Sequence, residues 1–280
     1  MEKLDKRKLF LLAISALAAL IVVIAAVLVI RGEAGTREGP QDQGPLVPEG
    51  QRLVEDLYEG RRLIPDFDIP ENTYDTAKFV EDSGLIRYQD GAAVWGVDVS
   101  EFQGAIDWQQ VKDAGAGFAI LRLGWRGSTE GGLNLDTTFQ QNYEGATAAG
   151  LPVGVYWFSY ARSVEEAKKE AKACLSVIGP YKTRITYPVF FDFEYDSETY
   201  AEKAGVKVDA RYVTDVTKAF CETVAAAGYR AGYYTNQDYY KHKLYPEELG
   251  DYDLWLADYT GGPAYPCAIQ QTSGTGDVNG

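Results

Sequence analysis

Cysteine, histidine and positive charge are all scarce in this sequence. There are three cysteines, Cys174, Cys221 and Cys267, and a single histidine, His242. Three thiols cannot make a disulfide-rich framework, and no short ligand spacing indicates a zinc site, so we expect neither metal nor cofactor. If the chain is exported, one pair could bridge, and Cys174 with Cys221 is favoured because both lie on neighbouring predicted helices. Free thiols remain the expectation.

Acidic residues outnumber basic ones. The chain has 41 Asp and Glu against 27 Lys and Arg, a formal net charge of −14. Nucleic-acid binding needs a basic surface, so this balance argues against such a partner. The sequence is instead rich in aromatic residues, with 20 Tyr and 5 Trp. An acidic, aromatic-rich chain is typical of proteins that act on carbohydrates, although this is a correlation only.

One long hydrophobic run lies near the N-terminus. Residues 10–30 are uncharged and dominated by Leu, Ile, Val and Ala. As a helix they span about 30 Å, the thickness of a bilayer core. The basic segment 1–9 precedes them, so we expect a cytoplasmic N-terminus and a single-pass cell-membrane protein whose remaining chain is extracytoplasmic. A cleavable signal peptide is the alternative, but its hydrophobic region is shorter, about 7–15 residues.

Two segments separate this run from the main domain. Residues 31–50 are rich in Gly, Pro, Gln and Glu, which is typical of a solvated linker. Residues 51–94 contain spaced apolar residues and two prolines. We expect a stalk or a small subdomain that packs on the unit that follows.

From residue 95 to residue 280, short apolar runs alternate with amphipathic helices. The runs are 96–99, 118–123, 153–157, 188–193, 230–234, 254–257 and 268–270. They lack in/out alternation, which is typical of strands buried on both faces of a parallel sheet. Capping residues predict helix starts at Asp107, Asp136, Ser163 and Asp209. Repeated strand–helix units predict an α/β barrel or a doubly wound sheet, and the lack of a glycine-rich loop after the first strand disfavours nucleotide binding.

A pair of acids ends one of the predicted strands. Asp192 and Glu194 are two residues apart, so an extended chain points both to the same face. Burial and like charge disfavour double ionisation, so one carboxyl should hold a proton near neutral pH. A protonated acid beside a carboxylate is what glycosidic cleavage requires. Solvated acids on a surface strand, or metal ligands, are the alternatives.

Asp98 follows the first predicted strand in the same way. Functional side chains gather at the C-terminal ends of strands in barrels and open parallel sheets. A lone Asp after a strand is more often a turn or a helix cap, so this residue alone leaves both interpretations open.

Several motifs run in order from about residue 95 to the chain end. They are Gly96-Val-Asp-Val-Ser-Glu-Phe-Gln-Gly104, Ile106-Asp-Trp108, residues 118–124, 148–156, 231–235 and 254–257, and the pair Asp192 and Glu194. Together they resemble glycoside hydrolase family 25, the bacterial and phage-type lysozymes. The resemblance implies an irregular, TIM-like β/α barrel. It also implies hydrolysis of the β-1,4 bond between N-acetylmuramic acid and N-acetylglucosamine in peptidoglycan, here by a membrane-anchored bacterial form.

The resemblance also implies roles for individual residues. Glu194 corresponds to the general acid, Asp192 to the companion carboxylate that stabilises the transition state or an acetamido intermediate, and Asp98 to a first-strand acid. The residues at the positions that line the sugar groove are Tyr156, Trp157, Tyr234, Trp255 and Gln270. Core packing is the alternative for each aromatic residue.

The end of the sequence departs from the family pattern. Family members usually close with a last strand bearing a further Asp, and Asp277 comes too early to match it. Ile269 and Gln271, on either side of Gln270, also alter the family's aromatic signature. We therefore expect the final strand and its acid to be missing.

Two further hypotheses stay open. The incomplete end and the anchor favour a catalytically inactive, membrane-anchored glycan-binding or scaffold protein. A metal-dependent barrel enzyme would use Asp98, Asp192 and Glu194 as ligands.

Overall fold

The computed structural model describes residues 47–56, 60–65, 74–82, 85–89, 91, 93–127, 132–181, 185–260 and 262–280. The predicted membrane segment, residues 10–30, lies outside these ranges. Within them, no helix is long and apolar enough to cross a bilayer. Residues 47–280 form one compact unit.

In the described residues the strands follow one another in this order: β1 (Gln51–Asp56), β2 (Gly60–Pro65), β3 (Phe79–Asp82), β4 (Leu85–Tyr88), β5 (Gly96–Val99), β6 (Phe118–Arg126), β7 (Leu133–Leu135), β8 (Val153–Phe158), β9 (Ile185–Asp192), β10 (Ala231–Asn236), β11 (Asp253–Ala257) and β12 (Ile269–Gln271). The α-helices are α1 (Trp108–Asp113), α2 (Phe139–Ala148), α3 (Val164–Ile178), α4 (Tyr195–Lys203) and α5 (Ala210–Ala226). A π-helical turn, Tyr239–Lys243, follows β10.

The central sheet has the order β12-β11-β10-β9-β8-β6-β5, and every neighbouring pair on this path is parallel. Strand β7 pairs antiparallel with the end of β6. The predicted α/β class is confirmed. The predicted irregular, TIM-like barrel is confirmed in part, because the parallel sheet curls but β5 and β12 remain its two edges among the described strands. The sheet is a curled half-barrel, and residues 272–280 form no strand across the gap.

The sheet is buried on both faces, which explains why its strands lack in/out alternation. On the outer face, side chains such as Phe191 and Phe220 pack between the strands and the helices, with ring centroids 5.0 Å apart. The inner face carries a smaller cluster of four buried residues, Phe118, Ile120, Phe190 and Trp255.

Helix starts follow the predicted caps at three positions. Asp107, Ser163 and Asp209 each accept a backbone N–H from the first turn of the helix that follows. Asp136 differs: α2 begins only at Phe139, because the Asp136 carboxylate is taken up by an ion pair and by Thr138.

The cysteines are free thiols. Cys174 on α3 and Cys221 on α5 are both buried, and these two helices contact each other, yet no disulfide joins them. Cys267, before β12, is also free.

Two hairpins, β1–β2 and β3–β4, lie in residues 51–94, where the sequence predicts a stalk or a small packing subdomain. The first contacts the main domain through Arg52, whose guanidinium donates to the Lys241 carbonyl oxygen at 3.1 Å. The Tyr74 hydroxyl donates to the Cys267 carbonyl oxygen at 2.8 Å, and the Arg87 guanidinium lies 5.1 Å from the centre of the Trp95 ring. Trp95 precedes β5 and Cys267 precedes β12. Residues 74–89 therefore contact the chain at the N-terminal ends of both edge strands.

A buried ion pair fixes α4 to the π-helical turn. The Lys243 ammonium donates to both carboxylate oxygens of Glu198, at 3.0 and 2.8 Å, and the Tyr239 hydroxyl donates to one of them at 2.6 Å. Both charged residues are less than a tenth exposed. A buried charge that loses its partner is costly, so this contact holds the helix that begins beside the predicted site.

Glu198→Ala is expected to lower the free energy of unfolding by about 3–5 kcal/mol, because it leaves the buried Lys243 ammonium without its carboxylate. Glu248→Ala removes the carboxylate from a partly exposed pair with Arg211 and should cost less than about 1 kcal/mol. Urea unfolding followed by circular dichroism measures both variants. Equal costs would contradict this interpretation.

Candidate active site

The three predicted acids meet at the C-terminal end of the sheet. Asp98 lies on β5, Asp192 is the last residue of β9, and Glu194 is the N-cap of α4. Asp192 interacts electrostatically with both of the other carboxyl groups. The strand-end position that the sequence indicates thus brings these residues together.

Asp192 is the most enclosed of the three. Its side chain is 4% exposed, and its Oδ1 atom has no hydrogen-bond partner among the described residues. Its backbone carbonyl accepts the Ser159 N–H at 2.8 Å, which fixes the end of the strand. Burial raises the pKa of Asp192 well above its ordinary value, the neighbouring Glu194 and Asp98 raise it further, and Arg122 opposes them.

Glu194 is half-buried, and it caps a helix. Its N–H donates to the Ser197 Oγ at 3.1 Å. Burial raises the pKa of the Glu194 carboxyl, while a hydrogen bond from Asp192 lowers it. The start of α4 also favours a negative charge at this position. Burial thus raises the pKa of both carboxyl groups, and the negative neighbours of Asp192 raise its pKa further, so double ionisation of the pair is disfavoured.

Asp98 faces the open part of the half-barrel. Solvent reaches its carboxylate, but protein atoms surround it on most sides, and this burial raises its pKa. Gln271 donates a hydrogen bond to its Oδ2 at 3.0 Å, which lowers the pKa again. The carboxylate lines a cavity of about 970 Å³ that lies between β5 and β12.

Three of the predicted groove residues, Tyr156, Tyr234 and Trp255, pack together on the inner face of the sheet. Tyr156 and Tyr234 both meet the Trp255 ring edge to face, with centroids 5.8 and 4.9 Å apart. Strand register places Tyr234 beside Asp192 as well as beside Trp255. Aromatic rings therefore lie next to the acidic pair, as in a site that contacts the apolar faces of a sugar.

Trp157 does not lie in the groove, and that prediction is wrong. Its side chain is fully buried in the outer core, on the helix side of the sheet. Successive residues of a strand point to opposite faces, so Tyr156 takes the inner position and Trp157 the outer one.

Gln270 reaches the cavity wall, but its amide donates to the Asp258 carbonyl oxygen at 3.1 Å. The next residue, Gln271, is the one that contacts Asp98. In the sequence, Gln271 is distinguished only as a departure from the family pattern.

Arg122 is a second residue that the sequence analysis missed. It lies on β6, where its guanidinium donates to Asp136 at 2.7 Å and to Glu101 at 2.9 Å. The same group lies 4.8 Å from the ring centres of both Phe102 and Trp125. An arginine inside a buried apolar run is the sequence feature that could have found it, because such a charge must be paired.

Metal binding finds no support in the geometry. In the part of the chain that the structure describes, no three His, Cys, Asp or Glu side chains lie close enough to hold a metal ion. The three acids can instead handle a proton and stabilise positive charge.

Acidic side chains at the C-terminal end of a curled parallel sheet, beside aromatic rings, form the kind of arrangement that glycoside hydrolases with catalytic carboxyl groups use. The sequence model of glycosyl hydrolases family 25 matches residues 97–275, and the chain belongs to that family.

Similar proteins agree with this membership. Lysozyme M1 of Streptomyces globisporus is 40% identical over 78 residues, which are 28% of this chain and 25% of that protein. The autolytic lysozyme of Clostridium acetobutylicum is 26% identical over 164 residues, 59% of this chain and 44% of that protein. The matches thus span less than half the length of these curated relatives. A modular autolysin of Streptococcus pneumoniae shares the fold, with a TM-score of 0.57 at 22% identity, over 83% of this chain and 55% of that one.

Asp192→Asn is expected to stabilise the protein by about 1–2 kcal/mol at pH 7, as removal of a functional cost often does. A carboxyl group whose pKa is higher in the folded than in the unfolded protein makes its full contribution to stability below the pKa of the unfolded state. That contribution is lost as the pH rises through the pKa of the folded state. A neutral amide escapes this loss, so the gain should vanish below about pH 3, where the aspartate is protonated in both states.

Urea unfolding at both pH values measures the difference. Asp251→Asn, at an exposed position, serves as the control and should change stability little at either pH. A destabilised Asp192→Asn protein at pH 7 would show that the buried carboxyl carries no such cost.

Proposed function

We propose that the chain is a peptidoglycan hydrolase that cleaves the β-1,4 bond between N-acetylmuramic acid and N-acetylglucosamine. Its family supports glycoside hydrolysis, and two of its relatives are lysozymes. One structure of the pneumococcal autolysin is a complex with a synthetic peptidoglycan ligand, which supports the choice of substrate. The observation that carries the proposal is the burial of Asp192 beside Glu194 and Asp98 at the end of the sheet, which raises the pKa of each carboxyl group.

In the proposed mechanism, Glu194 donates a proton to the leaving glycosidic oxygen. Asp192 stabilises positive charge, either at the anomeric carbon or on the substrate's 2-acetamido group as that group attacks. As this charge develops, the ionised form of Asp192 becomes favourable. Its proton then passes to Glu194 and from there to the departing oxygen as the bond from that oxygen to the anomeric carbon breaks. A water molecule completes the hydrolysis at the anomeric carbon and returns one proton to the pair.

The remaining residues position the substrate. Asp98 would orient the acetamido group or the incoming water. Tyr156 and Tyr234 would contact the sugar rings, because they are only partly buried on the inner face, whereas Trp255 is buried against both of them and would support their rings.

Glu194→Gln is expected to lower the rate of glycan cleavage by about 10²- to 10⁴-fold, because the amide cannot donate the proton. Fold and glycan binding should persist, since the amide has the same shape. The release of reducing ends from purified cell walls measures cleavage, and co-sedimentation with the walls measures binding. Glu202→Gln, at an exposed position on α4, is the control, and substantial activity in Glu194→Gln would eliminate the assignment.

The second candidate function is that of an inactive glycan-binding or scaffold protein. The open sheet favours it, because β5 and β12 lack a strand between them among the described residues. The same wall assay separates the two functions. Binding by the wild-type protein without new reducing ends would support the scaffold.

We also propose that residues 1–9 are cytoplasmic, that residues 10–30 anchor the chain, and that residues 31–50 link the anchor to an extracytoplasmic domain. The length of the hydrophobic run and the basic segment before it support this arrangement. The role of residues 51–94 would be to pack on the catalytic unit.

Alkaline carbonate extraction is expected to leave the full chain in the membrane fraction, whereas deletion of residues 10–30 should leave it in the soluble fraction. Mass spectrometry of the mature N-terminus tests the alternative, a cleaved signal peptide. A chain that begins beyond residue 30 would show that the segment is a cleaved signal peptide.

A further inference from the structure

Gln271, the last residue of β12, joins three groups around the site. Its Nε2 donates to Asp98 Oδ2 at 3.0 Å. Its Oε1 accepts hydrogen bonds from the hydroxyls of Tyr234, at 3.2 Å, and Tyr259, at 2.8 Å. All of its side-chain hydrogen bonds that we describe therefore lie within the site.

These bonds also fix the orientation of the amide. Two hydroxyl donors occupy the oxygen, so the nitrogen faces Asp98. A carboxylate accepts this hydrogen bond, and a hydrogen bond to the charged form favours that form. The hydrogen bond from Gln271 thus lowers the pKa of Asp98, whereas burial raises it.

The position of Gln271 in the sheet makes this contact significant. Strands β12 and β5 share no backbone ladder among the described residues, because they are the two edges of the half-barrel. The side-chain amide reaches across this gap to Asp98 on β5. On its other side it reaches Tyr234, whose strand register places it beside Asp192.

We propose that Gln271 is a positioning residue of the active site, whose amide holds Asp98 across the gap between β12 and β5 and ties it to Tyr234. The inference rests on the proposed hydrolase function. Gln271 does not touch the reacting atoms; it acts through Asp98 by setting its place and its charge.

Gln271→Met tests this role, because methionine keeps the length of the side chain and removes the amide. We expect kcat for cell-wall cleavage to fall about 10- to 100-fold through misplacement of Asp98, with a smaller change in KM. The acid limb of the pH profile should move up by about one unit, because the ionised Asp98 loses a donor. The other titratable groups that face Asp98 keep their identity in this variant, although the two hydroxyls that bond to Gln271 lose their acceptor; the groups are Asp192, Tyr156, Tyr234 and Tyr259.

Gln140→Met provides the matched control, since Gln140 is exposed on α2 and bonds only to Glu144 in the contacts described; its activity and pH profile should equal those of the wild type. Circular dichroism and thermal unfolding check that Gln271→Met is folded. An unchanged kcat and an unchanged acid limb in the folded variant would overturn the proposal.

A second measurement separates this inference from the proposed function. Carbon-detected NMR of ¹³C-labelled aspartate follows the Asp98 carboxyl directly, with Asp98→Asn to assign its resonance. Gln271→Met should raise the Asp98 pKa whether or not the walls are cleaved. A wild-type protein that releases no reducing ends would contradict the hydrolase function. An Asp98 pKa that is the same in Gln271→Met and in the wild type would contradict the proposed role of Gln271.

Discussion

The burial of Asp192 against Glu194 is the arrangement on which the rest of the site depends. Two acids that share a nearly dry position resist double ionisation, and a folded protein tolerates this only if the surrounding structure keeps them in place. Here the backbone of Asp192 is held by the Ser159 N–H, and Phe191 is packed against Phe220 behind it. The helix that Glu194 caps is held by the Glu198–Lys243 ion pair. The core thus holds the two carboxyl groups next to each other.

Much of the fold could be predicted because the sequence encodes it locally. Strands buried on both faces appear as continuous apolar runs, and all seven predicted runs overlap the strands of the parallel sheet. The hairpins in residues 51–94 and strand β7 were missed. These strands are short or antiparallel, and they are stabilised by contacts with distant parts of the chain, such as that between Tyr74 and Cys267. No local pattern records such contacts.

The site could be predicted as a position but not residue by residue. Asp98, Asp192 and Glu194 follow strand ends, and strand ends of a parallel sheet meet at one edge. The groove was harder, because Tyr156 and Trp157 are adjacent aromatic residues and a shift of one residue reverses the face. Since both faces are buried, hydrophobicity does not tell which of the two points inward. Gln270 and Gln271 present the same ambiguity, and only the folded register resolves it.

The open edge of the sheet divides the site into two parts that are held in different ways. Asp192 lies in the middle of the sheet, between paired strands, and backbone ladders on both sides fix its position. Asp98 lies on an edge strand, and across the gap a side-chain amide takes the place of a ladder. A side chain has more freedom than a paired strand. This freedom suits the roles that we propose, because the proton must travel a fixed distance within the acidic pair, whereas the carboxylate that orients an acetamido group or a water molecule must adjust as its partner moves during the reaction.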